Sequence, residues 1–579
     1  MKKCVCPFGV SVFLGGEILK ELMRKNKLQY CIMAFHTLLT FLWADRVLKN
    51  VGEIAIGTKV INEVVSRRLE NIMAYVISEF FAILFVYLFW KLFFYVIRHF
   101  RKSYIVFLIL FVVGSVLLLL SWPAVFAQSG DNFITYSSAV RLTPDYWHSA
   151  YSSFIYAGCL LFFPADFMIT IVQWAFFVFM LAYFYYRIEN VAPKLKYLVF
   201  VIFLLPDTLL IITDSYRICQ YAILVLIYVA HTMLDVIEKR HRDFREYVVI
   251  AALGAFLAIW RNEGIIFSTA FFLIHVICTG NKSLWNKFQR VLLFAVLFGI
   301  ILIPQKIGEA KYYGKDYQII NSLYPLQALL NDSETHFDYD TVEDDISAIE
   351  AVLPISIIKE YGLDGYRRYN YNVKGNTDFN QSLSRKKESA AYVSAYVNIL
   401  LHNPQSVLKL AWDNIIYALS ARHVYFWSPS IPPEEHVPLA AWGSEIWDRS
   451  SADFYSNGHT AFLNAFTEKL EIGRNIISVR TQFSSFFKQK KGYLLSYFAF
   501  CIFHFWMFAS GLIKLIRKKD LTAFCFGLVN LSMLCEYLAL VLVMPAPLSV
   551  YFVISYYISL ALGYCVLVSK CREKQACHL

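Results

Sequence analysis

Ionisable residues stand just beyond the ends of long apolar segments at three places in this chain. The three pairs are Asp131 with His148, Asp214 with Arg217, and Arg261 with Glu263. A carboxylate can accept the proton of an attacking hydroxyl, and an arginine can hold a phosphate through charge-assisted hydrogen bonds. Each pair also has a structural interpretation, as a loop or cap residue, a hairpin ion pair, or a basic anchor of a helix end. The elements that position the pairs must therefore be identified first.

Those elements are predicted to be membrane helices. Of 579 residues, 58% are hydrophobic and only 17% are charged, against about 25% charged residues in ordinary soluble proteins. The charge is absent in long runs, which excludes disordered, collagen-like and coiled-coil chains. The net charge of +11 lies mostly in short clusters between apolar segments, where it orients helices in a bilayer and does not indicate nucleic acid.

Twelve segments are apolar and long enough to be predicted as membrane spans. They cover approximately residues 28–43, 72–97, 104–121, 166–187, 196–212, 216–234, 247–260, 264–278, 290–304, 493–516, 521–543 and 549–568. A further apolar run, 149–163, needs a second criterion, which the positive charges provide.

Five basic clusters predict the orientation of the spans. They are Arg98, Arg101 and Lys102; Lys239, Arg240, Arg242 and Arg245; Lys282, Lys287 and Arg290; Arg517, Lys518 and Lys519; and Lys570, Arg572 and Lys574. All can be cytoplasmic only if residues 149–163 do not cross the membrane, so we expect a membrane-parallel helix in the first large outer loop. Both termini are then cytoplasmic, and the turns at Asp131, Asp214 and Arg261 face outward.

Four regions follow from this pattern. Residues 1–103 hold two spans, and residues 104–304 form a transmembrane core with the outer loop 122–165. Residues 305–492 are predicted to form an extracytoplasmic, mainly helical domain, because acidic residues become common there and apolar residues take helical spacing. Residues 493–579 hold the last spans and a cytoplasmic tail. No cysteine lies between Pro304 and Lys491, so no disulfide framework is predicted in the outer domain.

Several short motifs lie in the turns and the domain that are predicted to face outward. In chain order they are Pro123-Ala124, Asp131, Tyr146 to Ser149, Thr213-Asp214, Trp260 to Gly264, Pro325-Leu326-Gln327, and His402-Asn403-Pro404. In this order they resemble motifs of the polytopic GT-C glycosyltransferases, in particular a family of uncharacterised bacterial members. The resemblance runs from roughly Tyr104 to near the C-terminus.

The chain departs from that family's pattern at several positions. Ala124 stands where the family has Gly, Ser149 where it has Pro, and Thr213 where it has Lys. An Arg expected before Tyr551 is also missing. The missing Lys and Arg concern the residues that would bind phosphate.

The resemblance implies an all-α, GT-C-like enzyme that moves a sugar from a polyprenyl-phosphate donor to a surface glycan or lipid acceptor outside the cell membrane. Asp131 would act as the general base, and His148 would orient the substrate or Asp131. Substrate-binding roles would fall to Asp214, Arg217, Arg261 and Glu263, with the arginines on the leaving phosphate. No cofactor is required, although a divalent metal between Asp214 and the phosphate stays open. Membrane lipids are the other predicted partner.

Two other functions stay open. A polymerase or ligase of lipid-linked oligosaccharides would rely on outer-loop arginines, and a lipid or solute transporter would place charged pairs at bilayer depth. Glu79 and His36 lie inside predicted spans, where they either pair within the bundle or reach an interface. The acidic stretch Asp332 to Asp345 lacks the alternation and glycine of a calcium loop, and is predicted to be a solvated outer loop.

Overall fold

The structure is a computed structural model that describes most of the apolar segments and part of the outer domain. The described residues are 27–44, 68–121, 135–136, 138–139, 142, 144, 146, 149–165, 167–204, 217–240, 242–261, 264–279, 283–312, 316–362, 386–420, 497–543 and 553–577. Within these ranges all regular secondary structure is helical and no strand occurs.

Eighteen α-helices follow one another along the described ranges. They are α1 (Lys27–Leu42), α2 (Arg68–Arg98), α3 (Lys102–Ser121), α4 (Ala150–Phe162), α5 (Met168–Val191), α6 (Leu198–Phe203), α7 (Arg217–Glu238), α8 (Phe244–Trp260), α9 (Gly264–Thr279), α10 (Leu284–Tyr312), α11 (Asp316–Asn331), α12 (Val342–Glu350), α13 (Ile355–Tyr361), α14 (Lys386–His402), α15 (Pro404–Ser420), α16 (Tyr497–Lys518), α17 (Leu521–Val543) and α18 (Val553–Cys577). A short 3-10 turn, Pro193–Leu195, follows α5.

Seven helical segments are long and apolar enough to cross a membrane. They are Glu70–Arg98, Lys102–Leu119, Met168–Val191, Arg217–Glu238, Leu284–Lys311, Ala499–Lys518 and Ile554–Arg572. The chain is accordingly a helical, membrane-associated protein. Each predicted span overlaps a described helix, but in 196–212 that helix is only α6, and residues 205–216 lie outside the described part.

Helix α7 lies at the centre of the bundle. In the most apolar 18 residues of α7, 83% are buried, whereas in those of α3 only 11% are buried. Most apolar side chains of α3 therefore point outward. A helix that is apolar on all sides and buried belongs to a core, while an apolar exterior suits contact with lipid tails. The two helices therefore represent the inside and the lipid-facing outside of one bundle.

Helix α4 corrects the prediction for residues 149–163. Nearly all its side chains are buried, and it packs lengthwise against α2: Ala150 and Phe154 cluster with Ala74, and the rings of Phe162 and Phe89 meet edge to face farther along. A β-carbon on Gly158 would come within 2.7 Å of Phe81. The helix is thus inside the bundle and does not lie along its surface, because it has no polar face to turn to water. Its 13 residues span about 20 Å, less than the bilayer core of about 30 Å.

Described members of four of the five basic clusters lie at one end of the bundle. They take part in its contacts: Arg101 pairs with Glu189 at 3.8 Å, Arg242 with Asp235 at 2.7 Å, Lys287 donates to Ile277 O at 3.1 Å, and Arg572 donates to Ile237 O. We call this the basic end. The other end, where α7 begins and α8 ends, is called the opposite end.

The described part of residues 305–492 is helical and has a core of its own. Leu323, Leu326, Ile349 and Tyr392 pack at its centre. Helix α10 runs across the predicted boundary at residue 305, because it continues through Pro304 to Tyr312. Polar helix formers follow the apolar stretch there, so the helix extends past the point where hydropathy falls.

Candidate functional site

The structure describes two of the six residues predicted for the site, Arg217 and Arg261. The other four, which are Asp131, His148, Asp214 and Glu263, lie outside the described residues.

Arg217 and Arg261 lie at the same end of the bundle. Arg217 opens α7 and Arg261 caps the C-terminus of α8, which runs antiparallel to α7. One turn after Arg217, the Tyr221 hydroxyl donates to Leu257 O at 3.0 Å, and the Tyr221 ring meets the ring of Trp260 with centroids 5.6 Å apart. The first turn of α7 is therefore fixed against the last turn of α8.

Gly264 has a packing reason to be glycine. A β-carbon at this position would lie 2.2 Å from the Tyr221 hydroxyl and 2.3 Å from Leu257 O. Its backbone N–H donates to Arg261 O at 2.9 Å, which closes the turn between α8 and α9. Only a residue without a side chain allows this approach, so the turn that carries Arg261 depends on Gly264.

Tyr146, Ala150 and Ser152 are held at this end too. Gln305 donates from Nε2 to Tyr146 O at 2.8 Å and accepts at Oε1 from Ala150 N at 3.1 Å. The Tyr146 ring fills the space beside Gly308, where a β-carbon would lie 2.1 Å from it. In addition, Trp260 donates from its indole nitrogen to Ser152 Oγ at 2.7 Å.

These contacts place Tyr146, Ala150, Arg217 and Arg261 at the same end of the bundle. Tyr146 and Ala150 lie on either side of His148 in the chain, Arg217 follows Asp214, and Arg261 precedes Glu263. Two arginines near one end of an apolar bundle can hold an anionic group such as a phosphate by charge-assisted hydrogen bonds.

A second polar cluster, at the basic end, was missed by the sequence analysis. Asp235, fully buried near the end of α7, accepts from Arg187 at 3.0 Å, from Arg242 at 2.7 Å and from His275 at 3.0 Å. His231 Nε2 is 3.4 Å from the same carboxylate, and Glu238 binds Arg187 at 2.7 Å. The carboxylate thus joins α5, α7, α9 and the turn before α8.

The charges of this cluster stabilise one another. Burial by itself would lower the pKa of Arg242, but its hydrogen bonds with Asp235 and the charge of that carboxylate raise it. Arg242 and Asp235 are therefore both charged. Their mutual attraction compensates for the hydration that each side chain loses on burial. Signals in the sequence were available: an acidic residue inside an apolar segment, with a histidine four residues before it.

His36 and Glu79 each have hydrogen-bond partners within the bundle, which is one of the two outcomes that the sequence allowed. His36 Nδ1 accepts from Trp90 Nε1 at 3.0 Å, and its Nε2 is 2.8 Å from Phe162 O. Glu79 is buried and accepts from the Thr40 hydroxyl. Both residues link α1 to α2 or α4.

The described acidic stretch 332–345 is tied down by hydrogen bonds. Asp332 and Glu334 lie 3.4 Å and 3.5 Å from Lys409 Nζ, and the buried Asp345 accepts from Tyr339 and Asn398 at 3.2 Å each. The Glu334 backbone N–H and Lys409 lower the pKa of Asp332, and Asp332 in turn raises that of Lys409. These contacts connect the stretch to α14 and α15.

Among the described residues, no three His, Cys, Asp or Glu side chains are arranged to hold a metal ion. No protein-family model, no curated protein and no solved structure matches the chain.

Proposed function

We propose that the protein is a multi-pass membrane glycosyltransferase of GT-C type. It transfers a sugar from a polyprenyl-phosphate donor to a cell-surface glycan or lipid on the outer side of the membrane, with both termini in the cytoplasm. The observation that carries the proposal is that Arg217, Arg261, Tyr146 and Ala150 lie at the same end of an apolar bundle.

The chemistry assigns one task to each group. The acceptor hydroxyl attacks the anomeric carbon as Asp131 takes its proton, and the bond from that carbon to the phosphate oxygen breaks. Arg217 and Arg261 stabilise the negative charge that the phosphate gains as it leaves. The isoprenoid tail stays among apolar side chains throughout, such as those that α3 and α10 expose.

The decisive experiment uses Asp131→Asn in membrane vesicles supplied with a radiolabelled polyprenyl-phosphate sugar. General-base catalysis contributes roughly 100-fold or more, so transfer should fall by that factor. Transfer at a rate near that of the wild type would exclude Asp131 as the base. Because the donor is unidentified, lipid extracted from the purified protein should first be examined by mass spectrometry for a co-purifying polyprenyl-phosphate sugar.

The arginines are tested separately. Arg217→Ala and Arg261→Ala should each slow transfer by about tenfold or more, because each loses a charge-assisted hydrogen bond to the leaving group. Arg245→Ala is the matched control, since Arg245 is an exposed arginine at the basic end. If Arg245→Ala lowers transfer as much as the other two variants do, the opposite end is not the site.

The orientation has its own test. Single cysteines at positions 131, 214 and 261 should react with a membrane-impermeant maleimide added outside intact cells. Reaction at any of them only from the cytoplasmic side would overturn the assignment of the opposite end to the outer face.

A transporter is the second candidate, favoured by one observation. Glu79 and Asp235 are buried carboxyl groups within helices long enough to span a membrane, a position typical of ion-coupled transport. Substrate uptake by reconstituted vesicles that is lost in Glu79→Gln and kept in Asp131→Asn would favour this function over sugar transfer.

A further inference from the structure

Arg290 on α10 carries a positive charge that no described carboxylate compensates. Its guanidinium carbon lies 3.6 Å from the centre of the Tyr247 ring on α8, a cation–π contact. Nη1 is buried and has no hydrogen-bond partner within the described ranges, and the side chain forms no ion pair there. Arg187 and Arg242, by contrast, are both paired with Asp235. Burying a charge is costly unless a partner compensates for it, so Arg290 is suited to an anion from outside the protein.

The contact with Tyr247 fixes the guanidinium in place. Tyr247 is fully buried, and its hydroxyl lies 2.7 Å from Thr279 Oγ1 on α9. The neighbouring Glu246 is already engaged, because it accepts from Arg242 at 2.8 Å and from Asp243 N at 3.3 Å. The guanidinium is therefore positioned by a rigid ring, and its hydrogen-bond donors remain unused.

A second cation lies beside Arg290. Lys287 is three residues earlier on α10, so the two side chains are neighbours on the helix surface. Lys287 Nζ donates to Ile277 O at 3.1 Å, which leaves two of its three donors unused within the described ranges. Both side chains are partly exposed, so a ligand can reach them from outside the bundle. Two positive charges with unused N–H donors suit a phosphate.

These cations lie at the level of the membrane boundary. Helix α10 begins at the basic end, and side chains of a helix lean toward its N-terminus, so Arg290 reaches back toward that end. Trp285 and Phe288 in the same two turns are 64% and 53% exposed, and their rings stack with centroids 5.6 Å apart. Exposed tryptophan is typical of the headgroup level of a bilayer.

An apolar surface continues from this level along α10. Leu292 and Val296 are half exposed and follow Phe288 on one side of the helix. Since each residue advances by about 100° around the helix, Lys287 lies between Arg290 and this apolar side. Cations at the end of a helix with an exposed apolar strip below them match the headgroup and tails of a phospholipid.

We propose that Arg290 and Lys287 bind the phosphate of an anionic phospholipid in the leaflet at the basic end. The guanidinium donates charge-assisted hydrogen bonds to the phosphate oxygens, Lys287 adds a second positive charge, and the acyl chains lie beside Leu292. Two cations favour a lipid with a net negative charge over a zwitterionic one, whose own cation they repel. Basic groups between membrane helices are typical of such lipid sites.

The test is a lipid titration of the full chain in detergent, followed by native mass spectrometry. The wild type should bind a first molecule of phosphatidylglycerol more tightly than one of phosphatidylcholine. Arg290→Gln should weaken binding of phosphatidylglycerol roughly tenfold and leave phosphatidylcholine unchanged, because charge-assisted hydrogen bonds to the phosphate are lost. Equal affinity of the wild type for the two lipids would overturn the proposal.

Arg98→Gln is the matched control. Arg98 also lies over an aromatic ring, 5.6 Å from the centre of Phe94, but it is an exposed arginine on α2. This variant should keep the wild-type affinity for phosphatidylglycerol. An equal loss in Arg98→Gln would show that any arginine at the basic end has this effect, and the assigned site would be wrong.

Lys287→Gln keeps the proposal testable if Arg290→Gln does not fold. Its side chain is only partly buried, so the variant should fold normally and weaken phosphatidylglycerol binding about fivefold, the effect of one basic charge near a membrane surface. Wild-type affinity in folded Lys287→Gln would exclude the two-cation site.

His504→Leu is a control for general loosening of the bundle. His504 on α16 is buried, with Nδ1 2.8 Å from Asn530 Oδ1 on α17 and Nε2 2.7 Å from Ser559 Oγ on α18. The variant loses hydrogen bonds between helices other than α8 and α10, so it should bind phosphatidylglycerol normally. If it binds as weakly as Arg290→Gln does, the loss comes from altered packing and the proposal fails.

Free phosphate separates a lipid site from a general anion site. Millimolar inorganic phosphate should displace little phosphatidylglycerol, because it has no tails to place on the apolar side of α10. Complete displacement would mean that the site recognises phosphate alone, and the lipid proposal would be wrong. Asp131→Asn should bind phosphatidylglycerol as the wild type does, so failure of the sugar-transfer proposal would leave this result unaffected.

Discussion

The two ends of the bundle hold their helices together by different means. At the basic end a single buried carboxylate, Asp235, joins three elements through Arg187, Arg242 and His275. At the opposite end the helices are joined mainly by neutral hydrogen bonds from Tyr221, Trp260 and Gln305 and by close approach at Gly264, with a partly exposed ion pair between Lys311 and Glu70.

At the basic end the charges around Asp235 have a structural role. They are consumed by one another, so that cluster is well suited to hold the fold and poorly suited to bind an anion. At the opposite end neutral contacts fix the backbone around Arg217 and Arg261. Polarity inside a membrane helix is therefore a guide to function only after its partners are known.

Asp235→Asn should produce the largest loss of stability. Removing one partner of a buried pair leaves the charges of Arg187 and Arg242 without their main compensation, at a cost of about 3–5 kcal/mol. Unfolding of the purified protein in detergent, followed by circular dichroism, measures this. Lys306→Gln at the opposite end is the control, because Lys306 and Glu309 form a pair that is half or one-third exposed and worth less than about 1 kcal/mol. Equal losses in the two variants would remove the contrast between the ends.

Gly264→Ala should have the next largest effect. The added methyl group overlaps the Tyr221 hydroxyl and Leu257 O, and such overpacking costs about 1–3 kcal/mol. Gly299→Ala is the matched control, because nothing lies within 4 Å of the position of its β-carbon. It should be neutral or stabilising by up to about 1 kcal/mol. A neutral Gly264→Ala would mean that the opposite end does not depend on close packing.

Hydropathy predicted the helices well and their surroundings less well. The runs at α2, α3, α5 and α7 are continuous and apolar, so both their existence and their approximate bounds could be read from the sequence. The position of α4 could not, because a short apolar run suits a surface helix and a buried helix equally. Its small residues, such as Gly158, acquire meaning only beside α2.

The sites divide in the same way. The placement of Arg217 and Arg261 at the same end was predicted by counting spans. Each span is recognised from its own apolar run, which is a local property of the sequence. The clusters around Asp235 and His504 depend on contacts between residues far apart in the sequence. His504 and Asn530 are 26 positions apart, and Asp235 and His275 are 40 positions apart. No local pattern specifies such partners.

Gln305→Leu tests whether the neutral contacts at the opposite end serve the proposed active site. The variant loses the hydrogen bonds to Tyr146 O and Ala150 N, which should cost about 1 kcal/mol of stability. Sugar transfer should fall by more than the folded fraction does, because the bonds hold the loop that contains Asp131 and His148. Vesicle assays and unfolding curves on the same preparation compare the two losses. Parallel losses would assign Gln305 a purely structural role.

The smallest effect is expected where charges are exposed, between Asp332 and Lys409 in the outer helical domain. The native contacts lower the pKa of Asp332 from its ordinary 3.8, so they stabilise the fold above that pH and are lost as the pH falls through the lower, native value. The pKa of Lys409 is raised from 10.5, so its contribution is lost only as the pH rises above that value.

Hydrogen-exchange protection of the first turns of α15 should therefore be constant between about pH 5 and 9 and decrease slightly below pH 4. Asp332→Asn should lack the acid decrease and leave protection around Asp235 unchanged, because a screened surface pair and a buried pair respond to different conditions. An acid decrease that persists in Asp332→Asn would assign it to another carboxyl group.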